Sequence, residues 1–469
     1  MHSDVKPPVA QTPSRSRGGG GSRRFFTDYG MVIVLAGLCL LFSVLTLSEQ
    51  HPVGAAAAED IADNIAKIVP GGSTVLIMAQ NSDEDAEFVR KLSENIGGAN
   101  MILLPPATGA PAVMRGRLAE LDSRSRTFQY IITTNNHSAT IRLILSQFPA
   151  FSDVKVIVPQ SYKWPTFLLP DNIRNVANQI TVIAIIAIGM TMVIITAGID
   201  LSVGSMIALS AVVVAWLVGQ FGGAQASTIT MLLAALGGIL VCGGVGAFSG
   251  LMVTGFRIPP FIATLAMMQV AAGLAYIFSE GKPIYQLPDS FVLLGRGTEP
   301  FLHIPNAVIL MLVLYAIAHV VMTRTTFGRY VYAVGGNLEA ARLSGIRVKA
   351  ILFSVYTICG MLAGLGGVIM ASQLKSGAAT YGLTYELYVI AAVVVGGTSL
   401  MGGEGRILGT LIGAFIIAVI QNGMNLVNVE SYTQKVVLGL VILGAVLVDR
   451  IKQTRMNRKA SWRGDKAAA

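Results

Sequence analysis

Charge is scarce in this 469-residue chain. Asp, Glu, Lys and Arg make up 13% of it, about half of what a soluble domain carries. Cysteine is scarce too, with three residues. Cys39, Cys242 and Cys359 all lie in apolar stretches, and no pair has the spacing of a metal site or a disulfide framework. A G-x-x-x-x-G-K-[ST] loop is missing. The Gly281-Lys282 pair runs straight into Pro283, so this chain does not hold ATP by that device, and no cofactor is expected.

What is present is apolar. Hydrophobic residues reach 53%, with 51 glycines and a mean hydropathy of +0.64. Glycine is common in membrane helices because it lets backbones approach closely. The fold class predicted is therefore a polytopic α-helical membrane protein embedded in a lipid bilayer. The net charge of +9 admits two readings, nucleic-acid binding or the Lys/Arg excess of cytoplasmic loops. The basic residues gather in the tails and in one loop, which favours the second, so no nucleic-acid partner is expected.

Residues 1–30 contain "PSRSRGGGGSRR", a basic Gly/Ser-rich tail predicted to be disordered. The apolar run "MVIVLAGLCLLFSVLTL" follows at 31–47. It reads either as a cleaved leader, with "AAAA" at 55–58 as the cleavage region, or as a retained first span over 31–49. Its length favours the span.

Residues 50–165 change character. Strand candidates at 73–79, 101–105, 129–134 and 154–159 alternate with helical stretches at 83–96, 110–121 and 138–148. That alternation predicts a small parallel α/β domain, soluble and outside the bilayer. Within 166–450, spans are predicted at 179–198, 201–219, 228–253, 260–279, 305–323, 349–372, 384–397, 406–427 and 433–449. With the first segment they make about ten, at roughly 20 residues each. The segment 384–397 is short, and 198 nearly abuts 201, so broken helices are expected there.

Lys/Arg placement sets the orientation. The basic residues of 1–30, of the loop 324–349 and of the tail 451–469 fall on one face, the cytoplasm, while 373–383 carries only Lys375. Both termini are then cytoplasmic and 50–165 is external.

Several stretches carry chemistry. "GGNLEAARLSGI" (335–346) predicts a short capped helix on the cytoplasmic face. Asn337 can cap it, Glu339 suits its first turn, Gly345 can end it, and Ala340 and Ala341 leave room for another protein. "TAGIDLSVGS" (196–205) sets Asp200 at a Gly-flanked break. A carboxylate there marks a substrate path, or caps the next helix through the Ser202 and Val203 N–H groups. "GGTSLMGGEGR" (396–406) repeats this break, with Gly198, Leu201 and Gly204 matching Gly397, Leu400 and Gly403 at one offset. Glu386, Gln421, Asn422 and Asn425 are polar residues in or near late spans. They suit either a polar solute or bonds between helices.

From about 166 to 450 the chain resembles the ribose/xylose/galactose-type permeases of bacterial ABC importers. The resemblance rests on "GIDLSVGS" (198–205), "RIPPFIATLAMM" (257–268), "GRYVYAVGGNLEAARLSGI" (328–346), "YELYVIAAVVVGGTSLMGGEGRILGTLIGA" (385–414) and "NGMNL" (422–426). It implies a permease subunit, not an enzyme, that translocates a monosaccharide or similar polar solute. It also implies a homodimer, a separate cytoplasmic ATPase and a periplasmic sugar-binding protein. Its "EAA…G" loop, matched at Glu339, Ala340, Ala341 and Gly345, would be the coupling helix on the ATPase. The substrate pathway would draw on Asp200, Ser202, Glu386, Asn422 and Asn425. The external domain departs from that family. Residues 130–159 weakly resemble part of a sugar-binding lobe, and an unrelated spacer is the other reading. Two rivals stand beside the importer: a membrane sensor built on the external domain, and an ion-coupled carrier that works without an ATPase.

Overall fold

The computed structural model describes residues 20–96, 101–285 and 287–447. The tail 451–469 and most of 1–30 lie outside the described residues. The chain divides into two compact units, one of residues 46–168 and one of the remainder.

The membrane unit opens with helix α1, Gly20–Leu45. This corrects two expectations. Residues 20–30 are helical rather than disordered, because a helix nucleated in the apolar run extends at little cost per residue. The helix also stops at Leu45 rather than at 49, and the next residues turn into a strand.

The 46–168 unit is built on β1 (Leu47–Gln50), α2 (Gly54–Ile68), β2 (Thr74–Ala79), α3 (Asp83–Ile96), β3 (Ile102–Thr108), α4 (Pro111–Ser123), β4 (Tyr130–Ile132), α5 (Asn135–Leu145), β5 (Lys155–Ile157) and β6 (Tyr162–Pro165). A four-stranded parallel sheet runs in the order β3-β2-β4-β5. The run "TVLIMA" of β2 is apolar without alternation because both of its faces are covered. Val75, Ile77 and Ala79 pack with Ile61 and Ile65 of α2 and with Phe88 and Leu92 of α3. Leu76 and Met78 pack with Met114 and Leu118 of α4 and with Ile141 and Ile144 of α5. Pro105 and Pro106 are tolerated because β3 is an edge strand, where a missing N–H breaks no inner ladder. No predicted element covers 50–72, yet α2 lies there and covers one sheet face through Ala57, Ala58, Ile61 and Ile65. The ribbon of β1 against β6, which pairs Leu47 with Pro165 and Gln50 with Tyr162, was also unforeseen.

The membrane unit resumes with α6 (Pro170–Ile195), α7 (Val203–Gln220), α8 (Thr228–Gly255), α9 (Pro260–Ser279), α10 (Asn306–Arg324), α11 (Thr326–Gly336), α12 (Leu338–Leu343), α13 (Val348–Leu374), α14 (Tyr385–Val395) and α15 (Ile407–Leu426). A last helix, α16, covers Ser431–Leu447. Among the described residues, seven helices are long and apolar enough to cross a membrane. Three shorter apolar helices, Gly30–Leu45, Tyr385–Val395 and Ser431–Leu447, accompany them. α6 begins at Pro170, nine residues before the predicted start, because a proline at the first turn costs no hydrogen bond.

α6 is the central column. Its Ile- and Ala-rich stretch from Ile180 to Ile195 is buried throughout. By contrast α8, α9 and α10 expose Leu232, Leu240, Ile277 and Ile317, apolar surface that suits lipid rather than water. α8 packs tightly on α13 through small residues. A Cβ on Gly246 would stand 2.3 Å from the Tyr356 carbonyl oxygen, and one on Gly360 would stand 2.4 Å from that of Cys242. Such close approach is how helices associate when water no longer drives them together.

Candidate functional site: broken helices, a capped surface helix and an amide-lined cavity

The first break joins α6 to α7. The Ala197 N–H donates to Ile194 O at 2.9 Å and the Gly198 N–H donates to Val193 O at 3.0 Å. This is a helix stop with Ala197 in the left-handed region at φ 59°. Asp200 follows, fully buried. Its Oδ1 accepts from the Ser202 N–H at 3.0 Å and from the Ser202 hydroxyl at 2.6 Å. The predicted bond from the Val203 N–H is absent. Ser202, not Asp200, holds the N-cap position, so Asp200, two residues earlier, closes a turn ahead of the helix and reaches only two positions on. Its Oδ2 has no N–H or O–H donor among the described residues, and Tyr356 and Cys359 of α13 lie beside it.

The second break joins α14 to α15 and repeats the first. The Gly397 N–H donates to Val394 O at 2.9 Å and the Thr398 N–H donates to Val393 O at 3.2 Å. These bonds pair Val193 with Val393, Ile194 with Val394, and Ala197 with Gly397. The register is one residue out from the Gly198/Gly397 match read off the sequence. Left-handed geometry, not glycine identity, sets the alignment: Gly397 has φ 85° where the first break has Ala197.

The two breaks meet. The Gly403 N–H donates to Ile195 O at 2.8 Å, and Gly335 of α11 presses on the same place. A Cβ on Gly335 would stand 1.7 Å from Ile195 O and 2.7 Å from Gly403 N. The Tyr332 hydroxyl, also on α11, donates to Gly405 O at 2.8 Å. α11 leads directly into α12. Asn337 Oδ1 accepts from the Ala340 N–H at 2.9 Å, which starts α12. Gly345 at φ 82° ends it, with the Ile346 N–H donating back to Ala341 O at 3.1 Å. Glu339 pairs with Arg342 at 3.0 Å, both exposed. Ala340 is exposed but Ala341 is buried, because its position faces the protein across the helix. The apolar groups offered outward are Leu338 and Leu343, the latter 82% exposed.

The remaining sequence candidates separate. Asn422 and Asn172 exchange paired amide bonds at 2.8 and 3.0 Å, a clamp between α15 and α6. Glu386 sits in the first turn of α14 and turns toward α7, where a Cβ on Gly204 would lie 2.2 Å from its Oε2. Asn425 and Gln421 share a cavity of about 210 Å³ with Gln179, Gln434, Tyr385 and Tyr388. The Gln434 amide donates to Asn425 Oδ1 at 2.8 Å, and the two tyrosine rings meet edge to face at 6.0 Å. Amides offer donors and acceptors together, and aromatic faces suit the C–H face of a polar ring. Asp200 and Ser202 are absent from this lining. Gln179, Gln434 and both tyrosines are not singled out by the sequence, because Gln179 and Gln434 lie in the polar N-terminal stretches "DNIRNVANQ" and "SYTQK", where a lining amide looks like a solvated one. Among the described residues no cluster of His, Cys, Asp and Glu could hold a metal ion.

Broken apolar helices, a polar cavity between spans and a capped surface helix define a polytopic transport protein. A family model described as "Branched-chain amino acid transport system / permease component" matches residues 172–446, and the chain belongs to that family. It is a membrane permease component and not an enzyme. It is 46% identical over 290 residues to the ribose import permease protein RbsC of Bacillus subtilis, covering 61% of this chain and 87% of that protein. It is 38% identical over 285 residues to the D-allose transport system permease protein AlsC of Escherichia coli, covering 61% and 85%. With the L-arabinose ABC transporter permease protein AraH of Azospirillum brasilense it shares 34% over 351 residues, 75% of this chain and 94% of that one. No solved structure matches the chain.

Proposed function

We propose that this chain is the membrane subunit of an ATP-driven ABC importer that carries a neutral monosaccharide across the bacterial inner membrane. The observation that carries the reading is the 34–46% identity to permeases named for ribose, allose and arabinose. The cavity lined by Gln179, Gln421, Asn425 and Gln434 with two tyrosines supports an uncharged polar cargo, since no charged side chain lines it. Asp200 and Ser202 shape the path by holding the first break, Glu386 steadies the start of α7, and Asn422 clamps the helices around it.

In this reading two copies form the pathway. A separate ATPase docks on α12 through Leu338, Glu339, Ala340 and Leu343, and a separate binding protein delivers the sugar from outside. Both termini and α12 are cytoplasmic, the three shorter apolar helices bring the spans to ten, and the 46–168 unit is a soluble external domain. Docking moves α12. Because α11 has no slack between Gly335 and Ile195 O, it passes that movement to both breaks.

The test is uptake of radiolabelled D-ribose, D-allose, L-arabinose and L-leucine in cells that express the chain with its cognate ATPase and binding protein. Uptake of a sugar that stops when the ATPase is inactivated is expected. Uptake of leucine alone overturns the sugar assignment. Sugar uptake that persists without the ATPase overturns the ABC assignment in favour of an ion-coupled carrier.

A further inference from the structure

The 46–168 unit has a cavity that the permease reading does not use. In its sheet the chain leaves β2 toward β3 and then returns past β2 to β4. In open parallel sheets, the crevice beyond the carboxyl ends of strands at such a reversal takes ligands. A cavity of about 130 Å³ lies there, lined by Gln80, Ser82 and Asp85 after β2 and by Thr134, Asn136 and His137 after β4.

Its floor is pre-organised but incompletely satisfied. Asp85 Oδ2 is hydrogen-bonded to His137 Nε2 at 2.9 Å, and the Asp85 N–H donates to Ser82 Oγ at 3.1 Å. Thr134 stands at the N-cap of α5 yet makes no cap bond. It is 3% exposed, and its Oγ1 has no hydrogen-bond partner among the described residues. The neighbouring Thr133 Oγ1 is unpartnered as well. A threonine at an N-cap ordinarily bonds the second or third N–H of its helix. A buried hydroxyl that forgoes this bond is destabilising unless something else fills it.

The lining chemistry selects the class of ligand. The cavity is walled by the first residues of α2, α3 and α5, whose first-turn N–H groups are donors, although those of Asp85 and His137 are already taken by Ser82 Oγ and Thr134 O. Asp85 and the exposed Glu84 supply acceptors. N–H ends oppose a bare cation and the two carboxylates oppose an anion. The wall is polar apart from Val53 and Gly54, which leaves little for an apolar ligand to bury against. A neutral polyol suits this mixture, because each hydroxyl both donates and accepts. The volume equals about four waters of liquid, on the scale of one sugar ring.

The geometry points to a binding site for a neutral polyhydroxylated small molecule at the carboxyl ends of β2 and β4, with the Thr134 hydroxyl and the Asn136 amide as direct contacts. The site is independent of the transport path and stands or falls separately from the importer reading.

Titration calorimetry on the full-length protein in lipid nanodiscs tests it without any ATPase. The probes are D-ribose, L-arabinose and D-allose, with inorganic phosphate and L-lysine as charged comparisons. At least one sugar binds, and Thr134→Val and Asn136→Ala each weaken it by about 10-fold or more. Thr134→Val melts no lower than the parent, because it removes an unpaired buried hydroxyl and breaks no cap. Asn136 is exposed, so its truncation leaves the fold intact. Three results overturn the proposal: no sugar binding at millimolar concentration, preferential binding of phosphate or lysine, or sugar affinity unchanged in both variants.

Discussion

At Asp200 one carboxylate oxygen does the holding. Oδ1 takes both Ser202 donors, and an asparagine can present the same oxygen. Asp200→Asn should therefore stay within about 1 kcal/mol of the parent in stability and retain most uptake. Asp200→Ala leaves the Ser202 N–H unpaired in a buried turn and should cost about 2–4 kcal/mol, with most uptake lost. Thermal melting and uptake at matched membrane levels separate the two, and an Asn as damaging as Ala would mean that the charge itself matters. Ala197 is a second case. It holds a left-handed φ that glycine takes freely, so Ala197→Gly should stabilise the first break by about 1 kcal/mol, read as a raised melting temperature. Asp200 was legible in the sequence because an acid flanked by glycine stands out in an apolar run. Its neighbours Tyr356 and Cys359 were not, because they arrive from α13 and no local pattern says which helix lies alongside.

Among elements, α11 has little freedom to slide at Gly335, where a Cβ would stand 1.7 Å from Ile195 O. Any side chain on Gly335 must displace Ile195 or Gly403, so Gly335→Ala is expected to leave the ATPase docked and hydrolysing while uptake falls. Gly345→Val acts at the other end. Valine is strained at φ 82° by about 1–2 kcal/mol and should weaken docking of the ATPase, seen as reduced co-purification. Normal uptake in both variants would remove α12 and α11 from the coupling route. The capping residues of α12 could be read directly, since Asn337 and Gly345 act on backbone groups within a few residues. The inward face of Ala341 and the outward Leu338 and Leu343 could not, because six residues are too few to show a period. The amide-lined cavity was half legible: Gln421 and Asn425 share one helix, but Gln179, Tyr385 and Gln434 join them only once α6, α14, α15 and α16 are packed.

For the molecule as a whole, orientation is the first quantity to measure. In a background with Cys39, Cys242 and Cys359 replaced, Glu94→Cys is expected to react with an impermeant thiol reagent in intact cells, and Ser344→Cys only after lysis. The reverse pattern would invert the topology derived from the Lys/Arg distribution. The alternation of strands and helices in 73–159 was plain in the sequence because each element is short and apolar on its own. The ribbon of β1 and β6 was hidden, since "LSEQ" and "YKWP" are four-residue segments without an apolar period and pair only with each other across the whole unit.

That ribbon brings the points where the chain enters and leaves the α/β unit side by side, with Leu47 opposite Pro165 and Ser48 opposite Trp164. A segment whose two ends already touch is a cassette. It can be gained or lost in one genetic event without opening a gap in its host, because a tight turn can bridge what the cassette bridged. Replacing 49–163 with a two-residue Asn-Gly turn should leave a ribbon that closes on itself and a protein that still reaches the membrane as a monodisperse species in detergent. Aggregation of that variant would mean the unit is a folding requirement and not a graft. If the graft holds, the same stem is a ready socket through which a different folded unit could be spliced onto this permease.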